Sequence, residues 1–231
     1  MYILAVDSSS EILSVCVNKD DICLGEYTIK NLKTHSPKIL PMIDELLKNI
    51  DLTIQDIDVF ACSIGPGSFT GLRISLSVLK SMAQALNKPI IGVETLLSLA
   101  NNVCVSNSDY VICPILDAKN NNTYSAILDK NFNIIEDYSA LTIDELIKIC
   151  KKQTKPIYFI GNGAIIYKDV IEKEIKDKNI LSFTPCDLNS KNVALCAYTK
   201  YLNNEIDDVF SLAPTYLKSS FSGASPGTWF E

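Results

Sequence analysis

The sequence predicts an α/β protein built as two mixed lobes of one plan, each running βββαβαβα. Three observations lead there. Short apolar or alternating runs change places with longer amphipathic stretches along the whole chain. Two carboxylates, Asp7 and Asp117, stand at matching places, each closing the first strand of its half. A glycine-rich turn, Gly65 to Arg73, joins an apolar strand to an apolar helix. With 231 residues, 47% of them hydrophobic, the chain can bury one generous core or two smaller ones.

In chain order, alternation and apolar runs give strands at 2–7, 12–18 and 22–29. A helix follows at 37–49, announced by Ser36-Pro37, with Pro41 tolerable close to its first turn. Next come a strand at 57–64, a helix at 71–86, a short strand at 90–93 and a helix at 96–103. The second half repeats the order: strands at 110–116, 123–128 and 133–138, a helix at 143–152, a strand at 156–160, a helix at 164–176, a strand at 180–183 and a helix at 191–203. The expected organisation is an N-terminal lobe at 1–105, a C-terminal lobe at 106–218 and a tail at 219–231. Gly223, Pro226, Gly227 and Trp229 leave that tail either loose or clasping a neighbour.

The turn Gly65-Pro66-Gly67-Ser68-Phe69-Thr70-Gly71-Leu72-Arg73 carries the chemical question. A strand, a glycine turn and a helix N-terminus together form an anion cradle, because unpaired amides and the positive helix end converge there. Three known motifs fail on it. Leu72 follows Gly71 where a Walker A loop has lysine, Thr70 stands where a dinucleotide fingerprint has its third glycine, and Ser68 lacks the flanking glycines of a nucleophile elbow. The plainer alternative is that Gly65 and Gly67 permit positive φ while Ser68 or Thr70 caps the helix. Arg73 opposes the helix dipole, which calls for a partner carboxylate or a bound anion unless solvent alone receives it.

Composition excludes several classes. No apolar run approaches membrane-spanning length, Met1 to Asp7 is too short in apolar content for a signal peptide, and a cytoplasmic protein is expected. Eight cysteines without a Cys-x-x-Cys pair fit a reducing compartment. A net charge of −6 with lysines interleaved among acids repels phosphate backbones, so tight nucleic-acid binding by this chain alone is disfavoured. The single histidine, His35, rules out two-histidine zinc sites and reads as an entry-loop residue or as the one candidate for a serine triad.

A duplicated mixed lobe with a carboxylate closing strand one is the plan of the ribonuclease H-like lobes in actin, sugar kinase and Hsp70-type ATPases. Those enzymes need glycine just after the aspartate so that backbone can approach phosphate. Asp7-Ser8-Ser9-Ser10 and Asp117-Ala118-Lys119-Asn120 both lack it. Gly161-Asn162-Gly163 either approaches an adenosine or forms a simple turn. The nucleotide site therefore reads as degraded, with Asp7, Asp117, Gly161 and Gly163 as vestiges.

On a helical wheel Arg73, Ser77, Lys80, Ser81 and Gln84 of the 71–86 helix fall within one arc, and nearly all else is apolar. The 37–49 helix, with Ile39, Leu40, Met42, Ile43, Leu46 and Leu47, is similarly broad. Either both are deeply buried in one core, or they make an obligate helix-on-helix interface. On the second reading the contact residues are Ile39, Met42, Ile43, Leu46, Arg73, Leu76, Leu79, Lys80, Met82 and Ala83.

Gly65 to Arg73 resembles the hallmark stretch of the TsaB (YeaZ) family of bacterial tRNA threonylcarbamoyladenosine biosynthesis subunits. Weaker matches lie at Ile3 to Ser9, at His35-Ser36 leading to Leu40-Pro41, at Asp117-Ala118, at Gly161 to Gly163 and at Pro214 to Lys218. Ser75, Lys119-Asn120 and Lys218 depart from the pattern. The resemblance implies a two-lobed, actin-like fold that has lost catalysis and serves as a platform through its paired helices. It implies as partner TsaD, a larger paralogue that holds the metal and transfers the threonylcarbamoyl group to adenosine 37 of tRNA. TsaE, an ATPase, joins the pair, and lone subunits can self-associate as homodimers. No intrinsic cofactor is then expected, ATP and metal belonging to the partners, and tRNA is met only through the complex. The competing expectation is an enzyme in its own right, an ATPase using Asp7 and Asp117 or a glycoprotease-type peptidase.

Overall fold

Ile3, Leu4, Ala5 and Val6 have no solvent exposure, because β1 (Tyr2–Asp7) lies in the middle of a five-stranded sheet covered on both faces. Its neighbours are β2 (Ile12–Lys19), antiparallel, and β4 (Val59–Gly65), parallel. Beyond them lie β3 (Ile22–Lys30) and β5 (Ile90–Glu94), giving the order β3-β2-β1-β4-β5. The computed structural model describes residues 1–30, 36–103, 109–175 and 179–217. His35, Lys218 and the tail at 219–231 lie outside the described residues.

Strand residues alternate between two cores, as the two-residue period requires. Leu4, Val6, Val15, Phe60 and Cys62 point to α1 (Ser36–Asn49) and α2 (Phe69–Leu86). Ile3, Ala5, Cys16, Val59, Ala61, Ile91 and Val93 point the other way, to Val193, Ala194, Cys196 and Ala197 of α7 (Ser190–Leu202). Small side chains on α7 let its axis come close to the sheet. A short helix, α3 (Thr95–Ala100), packs beside it.

The chain forms two units, one of Met1–Cys104 with Cys186–Thr215, the other built on Val105–Pro185. Where the sequence reading runs the second lobe to residue 218, α7 and the segment after it belong with the first sheet. The reason is apolar cover: without α7 the face bearing Ile3, Ala5, Val59 and Ile91 has no second layer, at a cost of about 1.5–3 kcal/mol for each large side chain left wet. Both ends of α7 are fastened within this unit. The Glu26 carboxylate of β3 accepts from Ser14 Oγ at 2.9 Å, Ser190 Oγ at 3.1 Å and the Lys191 amide at 3.0 Å, a cap supplied by a distant strand. At the other end Lys200 donates to the Gly92 carbonyl at 2.9 Å and to Glu94 at 3.0 Å.

The second unit holds β6 (Val111–Asp117), β7 (Asn122–Asp129), β8 (Ile134–Thr142), β9 (Ile157–Ile160) and β10 (Ile180–Thr184) in the order β10-β9-β6-β7-β8. Read from the other edge this is the order of the first sheet, with the same parallel and antiparallel pairings, so the duplication expected from element order is real. Helices α4 (Ile143–Cys150), α5 (Asn162–Ile166) and α6 (Lys168–Glu174) accompany it. The helix expected over 164–176 is thus two pieces. The break falls at Tyr167 (φ −101°, ψ 9°), whose buried ring sends its hydroxyl to Asp117 at 2.9 Å. At the other helices the differences are small: α2 opens two residues earlier than expected, and α3 stops at Ala100, where the Asn101 and Asn102 amides take up the Leu97 and Leu99 carbonyls.

Candidate functional site

Asp7 ends β1 fully buried, and its carboxylate is already occupied. Oδ1 accepts from the Ser9 amide at 2.8 Å and Ser9 Oγ at 2.7 Å, and Oδ2 accepts from Ser63 Oγ at 2.6 Å. Burial pushes this carboxyl above the ordinary aspartate value, against the lowering effect of those serine donors. The carboxylate thereby shapes the turn after β1, fixing Ser8 and Ser9 against the glycine turn that opens α2.

That turn receives the chain's own backbone. Ser68 donates its amide to the Ser9 carbonyl at 2.7 Å, and Ser8 Oγ donates to the Gly71 carbonyl at 2.7 Å. A β-carbon on Gly67 would stand 2.4 Å from the Ser9 carbonyl oxygen, and one on Gly71 only 1.9 Å from that of Ser8. Both glycines are therefore demanded by close approach of the 8–9 turn, in the space an anion cradle would keep for phosphate. Gly65 has φ +121° and a cis bond to the buried Pro66, and the Thr215 carbonyl lies against it. Ser68 is the N-cap, accepting from the Gly71 amide at 3.2 Å, while Thr70 is exposed.

In the second unit Asp117 is similarly engaged. Its Oδ1 accepts from Tyr167 Oη at 2.9 Å and the Lys119 amide at 3.0 Å, and its Oδ2 pairs with Lys119 Nζ at 2.9 Å. Burial pushes the Asp117 carboxyl up, but the Lys119 and Tyr167 donors and the lysine charge outweigh it and hold it below the usual value. Burial and the bond to Asp117 push Tyr167 up to about 12. Gly163 lets α5 pass Ile115, whose Cγ2 would be 2.5 Å from an added β-carbon, and Gly161 makes the φ +109° turn before it. Among the described residues no group of three metal-ligating side chains converges.

The helix surface is where the expected residues and the structure part. Ile39, Met42, Ile43, Leu46, Leu76, Leu79 and Ala83 are all buried in the chain's own first core, so they are core residues and offer no side chain to a partner. Their breadth is absorbed because α2 packs against the sheet, shares one cluster with α1, and is flanked by Val209 and Leu212. Lys80 spans that flank, donating to the Phe210 carbonyl at 3.2 Å and the Leu212 carbonyl at 2.8 Å. Of the ten expected contacts, Arg73 is exposed and Lys80 and Met82 are half-buried. The outward apolar surface consists instead of Leu40, Phe69, Ile74 and Val78, with Met82. Arg73 stacks over the Phe69 ring with 3.8 Å to its centroid. Around them an open groove of about 450 Å³ is lined by Ser36, Phe69, Thr70, Arg73, Ile74, Ser77 and Val78. Residue order alone could not show which flank of a broad helix is covered. The signal within reach was the polar arc of Arg73, Ser77, Ser81 and Gln84, which marks the outward side.

Two five-stranded sheets of identical order, each ending its first strand in aspartate, define the class of actin, sugar kinase and Hsp70-type ATPase folds. Among solved structures, YeaZ from Pseudomonas aeruginosa shares this fold and superimposes with TM-score 0.73 at 20% identity, over 94% of this chain and 99% of that one. A second structure from that organism, of a protein similar to the peptidase YeaZ, gives TM-score 0.76 at 20% identity with the same coverage. A family model described as TsaD, tRNA N6-adenosine threonylcarbamoyltransferase, matches residues 29–220. The tRNA threonylcarbamoyladenosine biosynthesis protein TsaB of Bacillus subtilis is 30% identical over 235 residues, 100% of this chain and 99% of that one. The chain belongs to the TsaB family.

Proposed function

We propose that the chain is a non-catalytic scaffold subunit in tRNA threonylcarbamoyladenosine (adenosine 37) biosynthesis, one that binds and activates a TsaD-type subunit. The observation that carries this is the filled cradle: the Ser8 and Ser9 carbonyls occupy the approach to Gly67 and Gly71, and three serine donors consume Asp7. The Ser68 amide is taken by the Ser9 carbonyl and the Gly71 amide by the Ser68 hydroxyl, which supports a turn that binds its own chain in place of a phosphate. What remains for function is the outward face of α1 and α2, where Phe69, Ile74 and Val78 line an open groove and Leu40 is exposed.

On this reading the chain holds no cofactor of its own, and ATP and a metal belong to its partners. A TsaE-type ATPase joins the pair, tRNA is met through the complex, and homodimers form through the same face when the partner is lacking. The setting is cytoplasmic, and no helix among the described residues is long and apolar enough to cross a membrane. Calorimetric titration with the cognate TsaD-type subunit should give a one-to-one complex at micromolar concentration. Titration with ATP should give no heat of binding and no turnover. ATP hydrolysis abolished by Asp7→Asn would instead establish an enzyme acting alone.

A further inference from the structure

Phe210 is 75% exposed, more than any other large hydrophobic residue described, yet it sits on a firmly built turn. The Asp208 carboxylate accepts from the amides of Phe210 at 3.0 Å and Ser211 at 2.8 Å, and the Leu212 amide donates to the Asp208 carbonyl at 2.9 Å. The Ser211 amide and hydroxyl, then the Phe210 amide and the Lys80 charge, hold the Asp208 carboxyl below the ordinary value. Either side of the aromatic ring the chain is anchored inward, Val209 and Leu212 packing in the first core. Lys80 then fastens the turn to α2 through the carbonyls of residues 210 and 212. Among the described residues the ring is left largely uncovered. A rigidly supported aromatic with its face in water is the usual form of a binding anchor, since little conformational freedom is left to lose on association.

Lys80 leaves α2 about 120° around the helix from Ile74, by the 100° step per residue. Phe210 therefore stands toward the side of α2 away from Ile74 and Val78, with Arg73 and Ser77 of the groove lining between. Charge narrows the occupant. The net charge of the chain is −6, but α2 carries Arg73 and Lys80 and no acidic residue. Its complement is an apolar surface rimmed with carboxylates.

We infer that Phe210 is an anchor for the TsaD-type subunit, a second apolar foothold across the α2 crest, and that Lys80 is the positioning residue that holds it there. The inference rests on the docking reading of the α1–α2 face and extends it to a segment more than a hundred residues away in sequence. The partner's surface is expected to hold a socket for the ring and acidic residues facing the cationic helix.

The test compares three variants of the full chain, titrated with the cognate TsaD-type subunit. Phe210→Ala should weaken binding by about tenfold or more without lowering Tm, Lys80→Met should weaken it by less, and Val78→Glu should abolish it. If Val78→Glu abolishes binding while Phe210→Ala stays within about twofold of wild type, the anchor is overturned and the docking face stands. If neither variant changes affinity, the docking face itself is wrong. Affinity and Tm falling together in Phe210→Ala would mark the ring as part of the fold and overturn the inference as well.

Discussion

At Gly71 an added methyl group would meet the Ser8 carbonyl oxygen at 1.9 Å, with the Ser68 β-carbon at 3.3 Å beside it. Gly71→Ala should therefore destabilise the protein by about 3 kcal/mol, read as a lowered urea midpoint, whereas Thr70→Ala on the exposed neighbour should be nearly silent. Asp7 gives a pH prediction. Its folded-state pKa is raised, so the folded chain holds the proton more tightly than the unfolded chain. Stability linked to this group is present below the ordinary aspartate value of 3.8 and is lost as pH rises through the raised value. Asn at this place can still accept from Ser9 and donate to the Ser63 hydroxyl. Urea melts of Asp7→Asn between pH 4 and 7 should lack that loss, and the gap between variant and wild type should move in the variant's favour as pH rises. An unchanged gap would mean that Asp7 does not ionise differently on folding. The glycine turn was legible in the sequence as a place of constraint, but the constraining partner was not, because Ser8 and Ser9 are ordinary residues until β1 brings them onto it.

Helix α2 carries a warning about breadth. Its apolar surface exceeds what one sheet can cover, and the sequence offers two explanations, a deep core or a partner; the structure sends most of that surface into the core and leaves the rest at its rim. Leu72, Leu76, Leu79 and Ala83 go inward, and Ile74, Val78 and Met82 remain at the rim. The covers that could not be foreseen are Val209 and Leu212, supplied by a segment that follows α7. Leu79→Ala should then cost about 2–5 kcal/mol in a urea melt whether or not a partner is present. Val78→Glu should cost less than about 1 kcal/mol in the isolated chain, since the half-buried position lets a carboxylate reach water. The reverse ranking would show that the two flanks have been assigned the wrong way round. By contrast the succession of strands and helices along the chain and the paired aspartates followed directly from alternation, turn residues and position, while the choice between Ser68 and Thr70 as the cap of α2 was left open and falls to Ser68.

Over the whole chain, the duplication is cleaner in strand order than in sequence, and it stops at the last helix. Residues 186–215 complete the first unit although Val105–Pro185, which carry the second sheet, precede them. A chain ending at residue 185 should leave the first sheet without α7, without the Glu26 cap and without Leu212. Hydrogen exchange should show β1, β2 and β4 unprotected in that variant, while strands β6, β7 and β9 keep the protection they have in the full protein. Equal protection of both sheets would mean that α1 and α2 suffice. The return of α7 could not be read from periodicity, because a helix of small residues such as Ala194, Cys196 and Ala197 shows only that some surface approaches closely, not which one.

The late arrival of α7 has a consequence for biosynthesis. As the chain leaves the ribosome in order, the sheet that underlies α1 and α2 emerges early but waits half-clothed through the synthesis of residues 105–185. Products cut short by a nonsense codon, or nicked by a protease before residue 190, never gain the layer that stiffens it. Only a polypeptide translated past α7 can offer α1 and α2 on a sheet clothed on both faces.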